Sequence, residues 1–182
     1  MSAPVFVIIA GANGAGKSTL TQSRFPLFSQ FPLLDPDAIA NTIRPSELHA
    51  VALAAGRMVL ERVESYFKAR HSFAVETTLS GKNYLRTMAN AREQGFKVVL
   101  VYIGTENVEI NLSRIANRVA TGGHDIPEAD VRRRYRRSFE HLPLAFAKAD
   151  GIILFDNSTD QGYQLAGTGE KDRFRWIDPL PQ

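Results

Sequence analysis

Apolar residues in this chain come in short unbroken runs, separated by stretches whose apolar positions fall three and four apart. The runs are Val5–Ala10, Pro32–Leu34, Phe73–Glu76, Lys97–Ile103 and Gly151–Phe155. Continuous apolarity, rather than alternation, marks strands covered on both faces, as in a parallel sheet. Leu48, Val51, Ala55, Val59, Val63 and Phe67 form one stripe along a predicted helix from Glu47 to Lys68. Gly56 inside it costs about 1 kcal/mol relative to alanine. A further helix, Tyr84–Gln94, closes at Gly95. Helical spacing returns from Glu106 to Thr121 through Val108, Leu112, Ile115 and Val119, and again from Glu128 through Val131, Tyr135, Ser138 and Leu142. The tail predicts a hairpin over about 162–177: Tyr163–Ala166, a turn at Gly167-Thr168-Gly169, then Arg173–Ile177. Alternation of strands and helices predicts an α/β fold, a five-stranded, mostly parallel sheet with helices on both faces and right-handed crossovers.

The 182 residues fit one domain, which at this length buries roughly 70% of the surface of its unfolded chain. There is no cysteine, which suits a reducing compartment. No run reaches the ~18 apolar residues that would span a bilayer. Val5–Ala10 lacks a basic segment before it and leads directly into glycines, so it reads as a buried strand rather than a secretion signal. A cytoplasmic protein is the expectation. The net charge of +3 does not by itself mark a nucleic-acid binder.

Gly11-Ala12-Asn13-Gly14-Ala15-Gly16-Lys17-Ser18, followed by Thr19, matches the Walker A pattern. It follows an apolar strand and opens a predicted helix from Lys17 to about Arg24. Glycines let successive N–H groups aim at phosphate oxygens, and the helix start favours anions. Lys17 would reach the β- and γ-phosphates, and the Ser18 hydroxyl would ligate Mg²⁺. The pattern predicts a P-loop NTPase or kinase fold binding ATP or GTP with Mg²⁺.

Two acidic positions follow. Asp35-Pro36-Asp37 comes just past the second strand, where ligands of open α/β sheets gather. A carboxylate there could take the proton of an acceptor hydroxyl; both residues also suit a turn or helix cap. Glu76 closes the third strand, the position of a Walker B acid, and could hold Mg²⁺ or substrate. Thr77, Thr78, Ser80, Gly81 and Lys82 continue as a loop that could line the substrate, or simply cap the next helix through Ser80 or Asn83. Asp156-Asn157-Ser158, after the last strand, could line a nucleotide base.

Arginines crowd the stretch from Arg114 to Arg137. On the second helix Arg134 lies about 60° and Arg137 about 120° from the apolar stripe, best placed to reach inward. Two such helices joined by Gly122-Gly123-His124-Asp125-Ile126-Pro127, inserted between the fourth and fifth strands, look like a kinase lid over about 106–145. A solvated basic face and a nucleic-acid groove are the alternatives; Tyr135 and Phe139 are the only nearby aromatics that could stack bases. His124 is a candidate substrate or phosphate contact.

Together these motifs resemble the zeta toxin family, most closely its short bacterial branch of P-loop ATPases, from about Val5 to Asp156. The resemblance implies ATP- or GTP-dependent phosphorylation of a sugar nucleotide, UDP-N-acetylglucosamine in the toxins, under restraint by a partner antitoxin. It implies Lys17 as the P-loop lysine, Asp37 as general base, Glu76 as the strand-end acid and Arg118 as a phosphate-binding lid arginine. The chain departs from the long toxins where they place a second lid arginine before a proline. Here His124 precedes Pro127, and Arg134 or Arg137 would take that role. A helix glutamate near the substrate in the toxins falls about at Leu60, beside Glu61. A small-molecule kinase, a polynucleotide kinase and a non-catalytic ATP-binding module all stay open at this point, with no membrane role implied.

Overall fold

A computed structural model describes residues 2–23, 30–35, 48–123, 125–170 and 173–177, with the backbone alone over 48–56. Five parallel strands form its centre: β1 (Val5–Ala10), β2 (Leu33–Leu34), β3 (Phe73–Thr77), β4 (Lys97–Gly104) and β5 (Gly151–Asp156). Their order is β2-β3-β1-β4-β5. The central position of β1 explains its composition: Phe6, Val7, Ile8, Ile9 and Ala10 are all fully buried. Register carries the chemistry. Ile9 pairs with Glu76 and Ala10 with Thr77, so β3 delivers its acid beside the end of β1.

Five helices are described: α1 (Lys17–Gln22), α2 (Leu48–Ala69), α3 (Asn83–Glu93), α4 (Val108–Ala120) and α5 (Glu128–Phe146). The predicted stripe of α2 is buried where its side chains are described, at Val59, Val63 and Phe67. Phe67 meets Phe6, Phe73 and Phe96 with ring centroids 5.7, 5.3 and 5.1 Å apart. Removing one such ring would cost about 3–5 kcal/mol. Leu60 and Glu61 lie off this stripe and are exposed. α1 stops at Gln22, earlier than predicted, because Ser23 turns to an extended conformation.

The sheet has seven strands rather than five. β6 (Gln164–Glu170) and β7 (Arg173–Trp176) form the expected hairpin, and it adds to the same sheet, antiparallel to β5. The predicted turn at Gly167-Thr168-Gly169 is wrong: all three residues lie inside β6. The two glycines answer to packing across the strands. A Cβ on Gly167 would stand 2.5 Å from the Phe174 ring, and one on Gly169 2.8 Å from it. The ring occupies the space that side chains would fill, and Phe174 continues to Phe146 at 5.5 Å.

The inner halves of the two arginine-bearing helices belong to the core. Asn111 and Ile115 on α4, and Val131, Ser138 and Ala145 on α5, are buried. Ser138 shares a 3.0 Å hydrogen bond with the Tyr102 hydroxyl of β4. Between the inner halves of these helices an exposed stretch runs over residues 116–129, leaving aside His124, which lies outside the described residues, and Ile126, which is half-buried. No described helix is long and apolar enough to cross a membrane.

Candidate nucleotide-binding site

The loop of residues 11–16 leaves the end of β1 and runs into α1. Gly14 shows why the sequence spends glycine here. Its φ is +77°, and a Cβ would sit 2.6 Å from the Asn111 carbonyl oxygen. Behind the loop Lys17 is buried, its Nζ donating to the Ala12 carbonyl at 3.1 Å and lying 3.9 Å from Glu76 Oε1. The same Glu76 oxygen accepts from Ser18 Oγ at 3.0 Å. The structure thus gathers three predicted site residues into one cluster, with Glu76 itself buried. A buried carboxylate is stable only with charge and hydrogen bonds close by, and Lys17 and Ser18 supply both. Thr19 is exposed one residue beyond.

The chain leaves β3 through a sharp corner. Leu79 is fully buried yet has φ +55°, a left-handed conformation that costs a non-glycine residue about 1–3 kcal/mol. Three contacts hold it. Its N–H donates to Thr77 Oγ1 at 3.1 Å, Thr78 and Ser80 share a 2.9 Å hydroxyl bond, and His141 Nδ1 on α5 donates to the Leu79 carbonyl at 2.8 Å. A carbonyl can only accept, so His141 carries its proton on Nδ1. Ser80 is therefore engaged within the loop, and α3 has Lys82 at its N-cap with no side-chain cap, so the capping alternative does not hold. Gly81 and Lys82 are exposed. Asp35 is half-buried just after β2. Burial, and next the charge of Asp35, pushes the Tyr84 hydroxyl up to about 12. Asp37 and His124 lie outside the described residues.

Of the predicted lid arginines, Arg134 reaches the loop. Its Nη1 donates to Asn13 Oδ1 at 3.2 Å, while its other terminal nitrogen lies 3.8 Å from Asp130. Arg118 and Arg137 are exposed. Neighbouring arginines are engaged in ion pairs: Arg132 with Glu109 and Glu128, Arg133 with Asp130, Arg136 with Glu140.

Several further residues complete the site, of which only Asn157 was a sequence candidate, for lining a nucleotide base. Arg114 on α4 donates to the Asn157 carbonyl at 2.7 Å. Asn111 donates through Nδ2 to the Asn13 carbonyl at 2.6 Å and accepts at Oδ1 from Thr105 Oγ1. Asn157 and Tyr163 also touch the loop. Arg114 stood in the arginine run and shares a helix face with Arg118; that spacing was the available signal. The polar turn after β5 gave a similar one for Asn157.

A family model described as an AAA domain, AAA_33, matches residues 6–142. An uncharacterized protein of Haemophilus influenzae is 40% identical over 129 residues, 71% of this chain and 91% of that protein. Among solved structures, the AvrRxo1-ORF1:-ORF2 complex with ATP aligns at TM-score 0.70 and 17% identity, over 95% of this chain and 60% of that one. The PezAT chromosomal toxin-antitoxin system of Streptococcus pneumoniae aligns at 0.64 and 16%, over 90% and 71%. Shikimate kinase from Acinetobacter baumannii, bound to shikimate, aligns at 0.52 and 19%, over 87% and 86%. At these identities the structures share the fold, which is that of P-loop kinases.

Proposed function

We propose, since the chain belongs to the AAA_33 family of AAA domains, that it is a phosphotransferase moving the γ-phosphate of ATP, or of GTP, to a hydroxyl of a small molecule. One observation carries this reading. Lys17, Ser18 and Glu76 converge within 3.9 Å between the ends of β1 and β3, beside a second loop built to a fixed shape. A nucleotide switch needs the first loop; an acceptor pocket accounts for the second.

In the transfer, the acceptor oxygen bonds to the γ-phosphorus as the bond to the β–γ bridging oxygen breaks. ADP leaves, and the acceptor proton passes to a carboxylate, the role we give to Asp37, with Asp35, Thr77, Thr78, Gly81 and His124 as substrate contacts. Lys17 balances charge on the β- and γ-phosphates. Arg134 stands next to the loop through Asn13 and is the arginine best placed to meet charge on the moving phosphoryl group. Arg118 would join it only if the exposed stretch closes; Arg137, on α5 outside that stretch, is a further candidate. Ser18 and Glu76 offer two oxygens 3.0 Å apart, a donor set suited to Mg²⁺. Among the described residues no cluster of three or more acidic, histidine or cysteine side chains could hold a metal. With the described residues, phosphate oxygens and water would complete the set. Bound there, Mg²⁺ neutralises charge on the leaving phosphates.

The zeta toxin resemblance orders the acceptors: nucleotide sugars first, UDP-N-acetylglucosamine among them, with an antitoxin as candidate protein partner. Ion pairing of the α5 arginines argues against a strand groove for nucleic acid, because Arg132, Arg133 and Arg136 are each held by a carboxylate. The test is label transfer from γ-labelled ATP and Mg²⁺ to nucleotide sugars, nucleosides and oligonucleotides, with Lys17→Ala and Asp37→Asn alongside. Transfer to a small molecule, lost in both variants, supports the reading. Transfer to oligonucleotides alone, or to nothing while ATP still binds, overturns it.

A further inference from the structure

Three side chains from outside the phosphate loop take three of its carbonyl oxygens. Asn111 Nδ2 on α4 donates to the Asn13 carbonyl at 2.6 Å. Asn157 Nδ2, just past β5, donates to the Ala15 carbonyl at 2.8 Å. The Tyr163 hydroxyl, just before β6, donates to the Gly16 carbonyl at 2.6 Å. In a trans peptide the carbonyl of one residue and the N–H of the next point in opposite directions. Holding these carbonyls outward turns the N–H groups of Gly14, Gly16 and Lys17 toward the concave side of the loop, where phosphate oxygens bind.

The last two contacts meet at one residue. Gly16 has φ +101°, and a Cβ there would stand 2.5 Å from Asn157 Nδ2 and 2.9 Å from the Tyr163 hydroxyl. The glycine leaves room for both donors. Asn157 is buried, and the Tyr163 ring is fixed against Phe155 with centroids 6.2 Å apart. The Tyr163 phenol is protonated at neutral pH, and burial, above all, raises its pKa further above the ordinary range.

We infer that Asn157 and Tyr163 are positioning residues for polyphosphate binding: the segment joining β5 to β6 sets the shape of the phosphate loop and thereby its affinity for the nucleotide's phosphates. The inference rests on the nucleotide site proposed above but not on phosphoryl transfer.

Calorimetric titration of the whole chain with Mg²⁺-ADP, inorganic pyrophosphate and adenosine tests it. Tyr163→Phe keeps the ring and removes the hydroxyl, which also bonds Thr19 and the Leu20 backbone at the start of α1. Asn157→Asp replaces a donating amide with a carboxylate facing the Ala15 carbonyl. The expected result is a fall of about 5–10-fold in affinity for both ADP and pyrophosphate in Tyr163→Phe, from loss of the hydrogen bond to the Gly16 carbonyl. Asn157→Asp should lose more, adenosine binding should stay unchanged in both, and the ligand-free melting temperature of Tyr163→Phe should stay within a few degrees. Unchanged pyrophosphate affinity in Tyr163→Phe would overturn the inference. So would an equal loss for adenosine, which would make Tyr163 a contact of the base. Wild-type protein that binds neither ADP nor pyrophosphate would sink this inference and the proposed function together. ADP binding without transfer to any acceptor would sink only the latter.

Discussion

Arg134 and His141 stand seven residues apart on α5, two turns along one face, and each ends on a different loop of the site. The guanidinium donates to Asn13 Oδ1 at 3.2 Å; the imidazole donates to the Leu79 carbonyl at 2.8 Å. Ser138, between them, ties the same face to Tyr102. One rigid helix thus fixes the spacing between the phosphate loop and the loop after β3.

Arg134 should therefore matter more to transfer than to nucleotide binding. Arg134→Ala is expected to lower the single-turnover rate by about 10²–10³-fold, with ADP affinity changing by less than about threefold. Arg134→Lys should recover little, since an ammonium cannot present the planar fork. Quench-flow and calorimetry on the same preparations check both.

His141→Ala removes the donor that the Leu79 carbonyl shares with α5, at a residue already held at φ +55°. We expect a loss of about 1–3 kcal/mol in urea unfolding and a raised KM for the acceptor. An unchanged KM for ATP would place the effect on the loop after β3.

Glu76→Gln keeps the shape that accepts from Ser18 and removes the charge. The expected outcome is a higher Mg²⁺ concentration for half-maximal transfer and at least a ~10-fold lower rate at saturation. Lys17→Ala should abolish transfer within detection. A metal titration of the initial rate reads both.

Tyr102 is fully packed beneath α5, and burial raises its hydroxyl to about 12, with the Ser138 hydrogen bond a lesser, opposing influence. The unfolded chain ionises it near pH 10. Folding stability from this group is therefore complete below about pH 10 and is lost as pH rises from there toward 12. The loss is roughly 2–3 kcal/mol. Denaturant midpoints measured from pH 9 to 12 should fall over that window, and Tyr102→Phe should flatten the fall.

Much of this was legible in the sequence where the signal is local. Val5–Ala10 followed by Gly11–Ser18 announces a buried strand and its phosphate loop, and Glu76 at the end of an apolar run announces the acid that faces it. What stayed hidden depends on contacts between distant residues. Nothing near His141 shows that its ring ends on Leu79, and nothing near Leu79 shows a left-handed corner. Gly167-Thr168-Gly169 has the composition of a turn; the reason it is strand is Phe174, several residues on, whose ring lies over both glycines. The same logic hides Tyr163 in a predicted strand, and Asn157 in a polar turn that suggests a base contact, until Gly16 is seen beneath them.

The three donors that hold the phosphate loop come from 98, 142 and 147 residues further along the chain. On the ribosome, the loop emerges before all three of the residues that hold it. β1 also waits for its neighbours β3 and β4, pairings of long sequence separation that form slowly. The nascent chain would thus carry the whole Walker A sequence with the N–H groups not yet turned inward until those residues follow. Competence to hold a nucleotide would then arrive only once the β5–β6 segment has been made and closes over Gly16.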